Sequence, residues 1–260
     1  MGLFGLFKKK ELDTLEVARN EEMNRRQQLA DEINNAYDIK ANDVVLSEND
    51  KLRIDKNCKI MEQLGLPYMR EMKLIPLDSN TNVRTKEEIV VHMIFDFFVS
   101  HKAKNKLNNI PDVSDMDVMF LAMNYPIQDM FNVLSQISKG EIDELTLNQL
   151  AYRYEQANVY AWILGLGPKP LETELQTEEN LYKIFLKNNT IEDIINKCNM
   201  ISNEEIMEYA DLVTRYEWAM IELRNNNKSY DKINVDCIIE HKAAMDFITC
   251  YEPSISIEKK

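Results

Sequence analysis

The chain has 260 residues, enough for one large domain or two small ones, and 45% of them are hydrophobic, so it can bury a sizeable core. Its 44 acidic and 31 basic residues give a formal charge of −13, which repels phosphate backbones; no local basic stripe offsets this, so we expect no binding to nucleic acid. Only 6 Gly and 7 Pro leave few turn signals, which favours long helices over many short strands.

The first ten residues, MGLFGLFKKK, combine four apolar side chains with three lysines. The apolar part is too short for a secretory signal, and Leu6 stands where myristoylation requires Ser or Thr. Contact of residues 2–10 with a membrane surface is one hypothesis, but such an anchor is weak and the acidic chain opposes anionic lipid. We therefore expect a frayed or self-packed terminus.

Charged residues with sparse apolar positions predict an exposed helix over about 11–37. We assign residues 1–40 to an N-terminal charged helical extension and residues 41–260 to the main domain. The proline-bearing connection 166–176 is a candidate internal boundary.

Capping signals and a 3.6-residue period predict the helices of the main domain. Ser47 caps a helix that runs to Gly65, and the capping box Thr85-Lys-Glu-Glu88 opens an apolar helix that ends at Val99. Further helices are predicted over 114–124, 127–137, 144–165, 177–186, 190–198, 202–224 and 235–251, with loops at 66–83 and 102–109 and a short alternating tail at 254–257. Ser114, Thr177 and Thr190 are predicted caps, and Ser202-Asn-Glu-Glu205 is a second capping box. We expect an all-α fold, a single orthogonal or bundle-like domain of many helices with an exposed N-terminal helix.

The helix from about Glu144 to Gly165 is expected at the centre of the domain. It is apolar nearly all round, which is typical of a helix inside a bundle. Gly165 ends it, because glycine takes the left-handed conformation without a Cβ clash. Arg153 and Glu155 lie two residues apart on opposite sides of this helix, so each needs a partner elsewhere.

The pattern Arg-Tyr-Glu-x-Ala occurs twice, starting at Arg153 and at Arg215. Five residues do not distinguish chance from an old duplication. Both arginines lie on helices too apolar to leave them exposed, and a guanidinium does not lose its proton. We predict that carboxylates of other helices hold them, with these first choices: Glu217 and Glu240 for Arg153, and Glu155 and Asp211 for Arg215.

Two further clusters combine a histidine with carboxylates. Glu88, His92 and Asp96 share one helical face, but no ligand on a second helix can be named, so we interpret them as a solvated charged stripe and expect no metal. Glu240 and His241 are adjacent and point about 100° apart, so structural pairing outweighs acid–base catalysis there. No nucleophile elbow and no phosphate loop is present; catalytic residues stay unassigned and we expect no cofactor.

The four cysteines, Cys58, Cys198, Cys237 and Cys250, show neither a CxxC motif nor zinc-type spacing. No apolar run approaches the length of a membrane span. We expect reduced, mostly buried thiols in a cytoplasmic protein.

Four motifs in this order resemble the bacterial domain of unknown function 4272 family. They are Arg84-x-x-Glu87-Glu88-Ile, Arg153-Tyr-Glu with Trp162-x-Leu-Gly165-Leu, Asp211-Leu-x-x-Arg215-x-x-Trp218-Ala219, and Glu240-His241-x-x-Ala244. Phe247 stands where the family usually has Trp. The resemblance covers about residues 53–251, implies a bacterial cytosolic protein and brings no activity with it.

Two functional hypotheses follow. The first is a non-catalytic interaction or regulatory protein, for example an immunity-type module, whose acidic surface binds another, basic protein. The second is an enzyme or small-ligand-binding protein with a polar pocket between the two Arg-Tyr-Glu helices, lined by Arg153, Glu155, Arg215, Glu217 and His241. We favour the first.

Overall fold

The computed structural model describes residues 46–70, 72, 81–111 and 116–250. Several predicted features lie outside these residues: the N-terminal extension 1–40 with its membrane-contact hypothesis, the cap at Ser114, and the alternating tail at 254–257. All structural statements below concern the described residues.

Ten α-helices and no β-strand occur in this part of the chain, which confirms the all-α prediction. The helices are α1 (Glu48–Leu64), α2 (Lys86–Leu107), α3 (Met116–Ala122), α4 (Gln128–Lys139), α5 (Glu144–Tyr152), α6 (Tyr154–Ile163), α7 (Glu179–Leu186), α8 (Ile191–Lys197), α9 (Asn203–Asn225) and α10 (Val235–Ile248).

Side-chain caps lie at the start of six of these helices, and four of the caps form capping boxes. Thr85 and Ser202 each accept the N–H of the third helical residue, and the glutamate at that position accepts the N–H of the cap, so both predicted capping boxes are confirmed. Ser47 and Thr190 form the same arrangement with aspartates. The predicted cap at Thr177 is wrong, since α7 begins at Glu179 and has no side-chain cap.

Helix α2 is longer than predicted. The prediction ended it at Val99 and assigned 102–109 to a polar link, but the helix runs to Leu107. Ala103 is fully buried, and Lys104 and Lys106 lie in the last turn, where cations favour the negative end of a helix. The lysine-rich stretch is thus two further turns of helix and not a loop.

The predicted central helix is in fact two helices that meet at Arg153. The Arg153 N–H donates to the carbonyl of Leu150, three residues earlier, at 3.2 Å, and the Arg153 carbonyl accepts the N–H of Ala157 at 3.1 Å. The hydrogen bond at Arg153 thus spans three residues, as in a 3₁₀ turn, and the chain then continues as an α-helix. The single-helix prediction was wrong at this residue, because hydrophobic periodicity does not detect a one-residue tightening.

Helix α6 is buried on nearly every side, as predicted for the central helix. Eight of its ten residues are buried: Tyr154, Glu155, Ala157, Asn158, Val159, Tyr160, Ala161 and Ile163. Helices α2 and α10 pack against it. The segment after α8 hydrogen-bonds to its C-terminal end, where the N–H groups of Asn199 and Ile201 donate to the carbonyls of Leu164 and Ile163 at 3.0 Å each.

Two features require glycine at position 165, where this helix ends. It takes φ of +71°, and the N–H groups of Gly165 and Leu166 close a Schellman motif on the carbonyls of Trp162 and Ala161. A Cβ at Gly165 would also lie 2.3 Å from the carbonyl oxygen of Asn199, which is far inside contact distance.

We expect Gly165→Ala to lower the free energy of unfolding much more than Gly140→Ala. Gly140 also has positive φ, +72°, but a Cβ there would meet nothing within 4 Å, so its variant should lose only the conformational term of about 1–2 kcal/mol. The Gly165 variant must in addition displace the backbone of Asn199. Urea unfolding of the two variants and the parent measures the difference; equal losses would contradict the close approach.

Candidate functional site

Arg215 is fully buried between α9 and α1. Its Nε donates to Asp211 Oδ2 at 3.0 Å, and its Nη1 donates to the Met69 carbonyl at 2.7 Å. Asp211 was one of the two predicted partners, but it lies on the same helix, so the prediction of a carboxylate from another helix is wrong for Arg215. The side-chain amide of Asn57 on α1 donates to the same Asp211 oxygen at 2.6 Å and to the Glu208 carbonyl at 2.9 Å. Asn57, Asp211 and Arg215, which we call the α1–α9 cluster, therefore join these two helices.

Arg153 occupies a different environment. Its side chain is 40% exposed, so the prediction that it is buried is wrong. Its Nη1 donates to Oδ1 of the buried Asp96 on α2 at 3.1 Å. The expectation of a carboxylate on another helix is met, but the partner is Asp96 and not one of the predicted glutamates. Glu240 accepts the side-chain amide of Gln156 at 2.6 Å, and Glu217 lies 4.0 Å from Lys242.

The environment of Asp96 perturbs its protonation. Burial raises the pKa of Asp96 to about 7, while the nearby Arg153 guanidinium opposes this rise and the Glu240 carboxylate adds to it. Burial likewise raises the pKa of Glu240, with Gln156 and Arg153 acting in the opposite direction. Two carboxyl groups that hold protons unusually tightly thus lie beside one half-exposed arginine.

Glu155 and His241, the other predicted residues, meet in the core. His241 Nε2 lies 3.4 Å from Glu155 Oε2, and its Nδ1 lies 2.9 Å from the hydroxyl of Tyr209 on α9. A carboxylate only accepts, so Nε2 donates to Glu155. The other Glu155 oxygen accepts the backbone N–H of Gln176. Glu155 therefore fixes the connection after α6 to the helix core.

Glu88, His92 and Asp96 do not share one role. Glu88 is exposed and pairs with Arg84 at 2.9 Å, and the exposed His92 ring lies 3.7 Å from the Phe247 ring, centroid to centroid. The interpretation as a solvated stripe is wrong for Asp96, because Asp96 is buried and accepts a hydrogen bond from Arg153. In the described part of the chain, no three His, Cys, Asp or Glu side chains lie close enough to hold a metal ion.

The groups proposed to line one pocket between the Arg-Tyr-Glu helices bond to different neighbours. Arg153 bonds to α2, Arg215 bonds to its own helix and to the Met69 carbonyl after α1, and Glu155 bonds to α10 and the connection after α6.

The sequence reasoning missed a group of exposed apolar side chains on two segments that a hydrogen bond connects. Four side chains, each between 36% and 52% exposed, belong to it: Leu171, Leu175, Val235 and Ile239. We call this group the corner patch. Leu171 and Leu175 lie on the connection after α6, and Val235 and Ile239 lie one turn apart on α10.

Hydrogen bonds bring the two halves of the corner patch together. The Asn234 N–H, next to Val235, donates to the carbonyl of Glu172 at 2.8 Å. Leu175 precedes Gln176, whose N–H donates to Glu155 on α6. The adjacent Gln156 donates to Glu240, which follows Ile239 on α10. The only sequence signal for this patch was the pair of apolar residues in an otherwise polar connection.

Residues 53–254 match the family model described as Domain of unknown function (DUF4272). The chain belongs to this family. The match confirms the resemblance inferred from the four motifs, and it includes both the α1–α9 cluster and the corner patch.

The other comparisons add no relative. No curated protein matches the chain, and no solved structure matches it. In the portion that the structure describes, none of the helices combines the length and the apolar character required to cross a membrane.

Arg215→Met should lower the melting temperature much more than Arg153→Met. The first change leaves the buried Asp211 without its cation, a loss of about 3–5 kcal/mol, which corresponds to roughly 10 °C for a domain of this size. The second removes a half-exposed cation whose partner Asp96 can take up a proton instead, so the loss should be about 1 kcal/mol. Calorimetry at neutral pH distinguishes them, and equal shifts would show that Arg153 is as buried as Arg215.

Asp96 should make the stability depend on pH. Its pKa is about 7 in the folded chain and about 3.9 when unfolded, so the folded state binds the proton more tightly. Its contribution is therefore complete below about pH 4 and is lost as the pH rises to 7, by at most about 1.4 kcal/mol per pH unit.

The matched variant for this measurement is Asp96→Asn, which keeps an oxygen to accept from Arg153 but does not ionise. The free energy of unfolding of the parent relative to this variant should fall between pH 4 and 7 and stay level above pH 8. A difference that is constant over the whole range would mean that Asp96 is ionised throughout.

Proposed function

We propose that the chain is a non-catalytic protein-interaction module that binds a basic protein through the corner patch. The observation that supports this most is the exposure of four large apolar side chains on two segments that are hydrogen-bonded to each other. Grouped apolar side chains in contact with water typically mark a protein-binding surface, whereas single ones are common on any protein.

The charges around the corner patch favour a basic partner. The stretch 171–179 contains four glutamates and no lysine or arginine, although Glu178 pairs with His101 and Lys104. The exposed Asp236 lies in the first turn of α10. The whole chain adds a formal charge of −13. Such a surface accelerates encounter with a positively charged protein, and apolar contact at its centre then supplies affinity. Regulators and immunity-type proteins act by contact of this kind.

The corner patch is also held in place before any partner arrives. The carbonyl of Glu172 is bonded to α10, and the N–H of Gln176 is bonded to the buried Glu155. A surface that is ordered in advance loses less entropy on binding, which favours tight association. The alternative, a ligand pocket between the two Arg-Tyr-Glu helices, has no comparable support, because its predicted lining residues bond to three different neighbours.

Photo-crosslinking in the cells that naturally produce this protein tests the proposal. A benzophenone side chain placed at Leu175 and, separately, at Ile239 should capture the same basic protein. Leu186 is the matched control, since it is 57% exposed on α7 beside Lys183 and Lys187. The same product at Leu186, or different products at the two patch positions, would contradict the proposal.

The captured protein, once purified, allows a quantitative comparison. Ile239→Glu places a charge in the apolar centre and should weaken binding at least about tenfold, equivalent to 1.4 kcal/mol, while Leu186→Glu should leave the dissociation constant unchanged. Asp236→Lys should slow association and reduce its dependence on salt. Unchanged binding by Ile239→Glu would exclude the corner patch.

A further inference from the structure

The α1–α9 cluster contains three buried polar atoms with no hydrogen-bond partner among the described residues. They are Oδ1 of Asn57, Oδ1 of Asp211 and Nη2 of Arg215. All three residues are fully buried, so bulk water does not reach these atoms. An unsatisfied buried polar group costs about 1–3 kcal/mol, so three in one place require an explanation.

Covalent geometry places the three atoms close together. Asp211 Oδ2, the other oxygen of the same carboxylate, accepts both from Asn57 Nδ2 at 2.6 Å and from Arg215 Nε at 3.0 Å. Each unpartnered atom is attached to the same carbon as one of these three bonded atoms. Each unpartnered atom therefore lies within about 5 Å of the shared Asp211 oxygen, in one region of the core.

The orientation of Asn57 is fixed by its neighbours. Its Nδ2 faces two acceptors, the Glu208 carbonyl and the Asp211 carboxylate, so the amide cannot turn over without placing its oxygen against both. Asn57 Oδ1 is therefore an acceptor with no donor. The region offers two acceptors, on Asn57 and Asp211, and one donor, on Arg215.

We propose that the α1–α9 cluster binds one neutral molecule of the size of water, and that this molecule is a single internal water. Such a ligand donates to Asn57 Oδ1 and Asp211 Oδ1 and accepts from Arg215 Nη2. A cation such as ammonium has no lone pair for the guanidinium, and an anion such as chloride has no hydrogen for the two oxygens. Asp211 and Arg215 already balance in charge, which favours a neutral ligand, and three hydrogen bonds are the usual number for a buried water.

A crystal structure of the full chain together with water-selective NMR tests this proposal. The crystal should show one density peak within about 2.7–3.2 Å of all three atoms. In solution, the Asn57 side-chain amide should show a direct cross-relaxation peak with water. Asn188 is the matched control, because it is a buried asparagine whose amide donates to Ile184 and whose oxygen accepts from Lys197, so it should show none.

Three results would overturn the proposal. One is a bidentate ion pair, in which Arg215 Nη2 donates directly to Asp211 Oδ1 and leaves no room for a water. Another is a side chain of the protein that fills the region. The third is the absence of a water peak at Asn57 under conditions in which known internal waters are detected. None of these results depends on the corner patch or on a binding partner.

Discussion

The fold depends on the burial of α6. A helix of ten residues with apolar side chains on nearly every side gains free energy only if other elements cover it completely. Helices α2 and α10 supply two of these covers, and the segment after α8 closes the C-terminal end so tightly that only glycine fits at position 165. Glu155 then has no access to bulk water, so it must find its partners inside the protein.

Buried charges accordingly act in this structure as connections between helices. Arg215 and Asp211 join α9 to α1, and Glu155 with His241 joins α6 to α10 and to the following connection. Removing one member of either group lowers the free energy of unfolding strongly, because the other member is left without a partner in a medium of low polarity. Arg153 differs, since it is half exposed and its partner has a pKa near neutrality. We regard the first two groups as structural and the last as an accessory, pH-dependent contact.

Local signals in the sequence were sufficient for the helical fold class and for most helix starts, because a cap such as Ser202 with Glu205 acts within one turn. They did not reveal the tightening at Arg153 or the true end of α2, where tertiary burial overrides a lysine-rich composition. The pairing of Arg153 with Asp96 was also missed, since it depends on how α2 is rotated in the bundle. The corner patch could not be predicted, because residues 171–175 and 235–239 become neighbours only when the connection after α6 binds to α10.

We propose that the surface carries the function and that the polar core contributes stability. Hydrogen–deuterium exchange of the chain, with and without the basic protein captured at the corner patch, tests this division most directly. The account predicts slower exchange on binding in residues 170–178 and 234–240, with exchange in α2 and around Arg153 unchanged. Protection centred on Arg153 and Asp96, with none in 170–178, would contradict it.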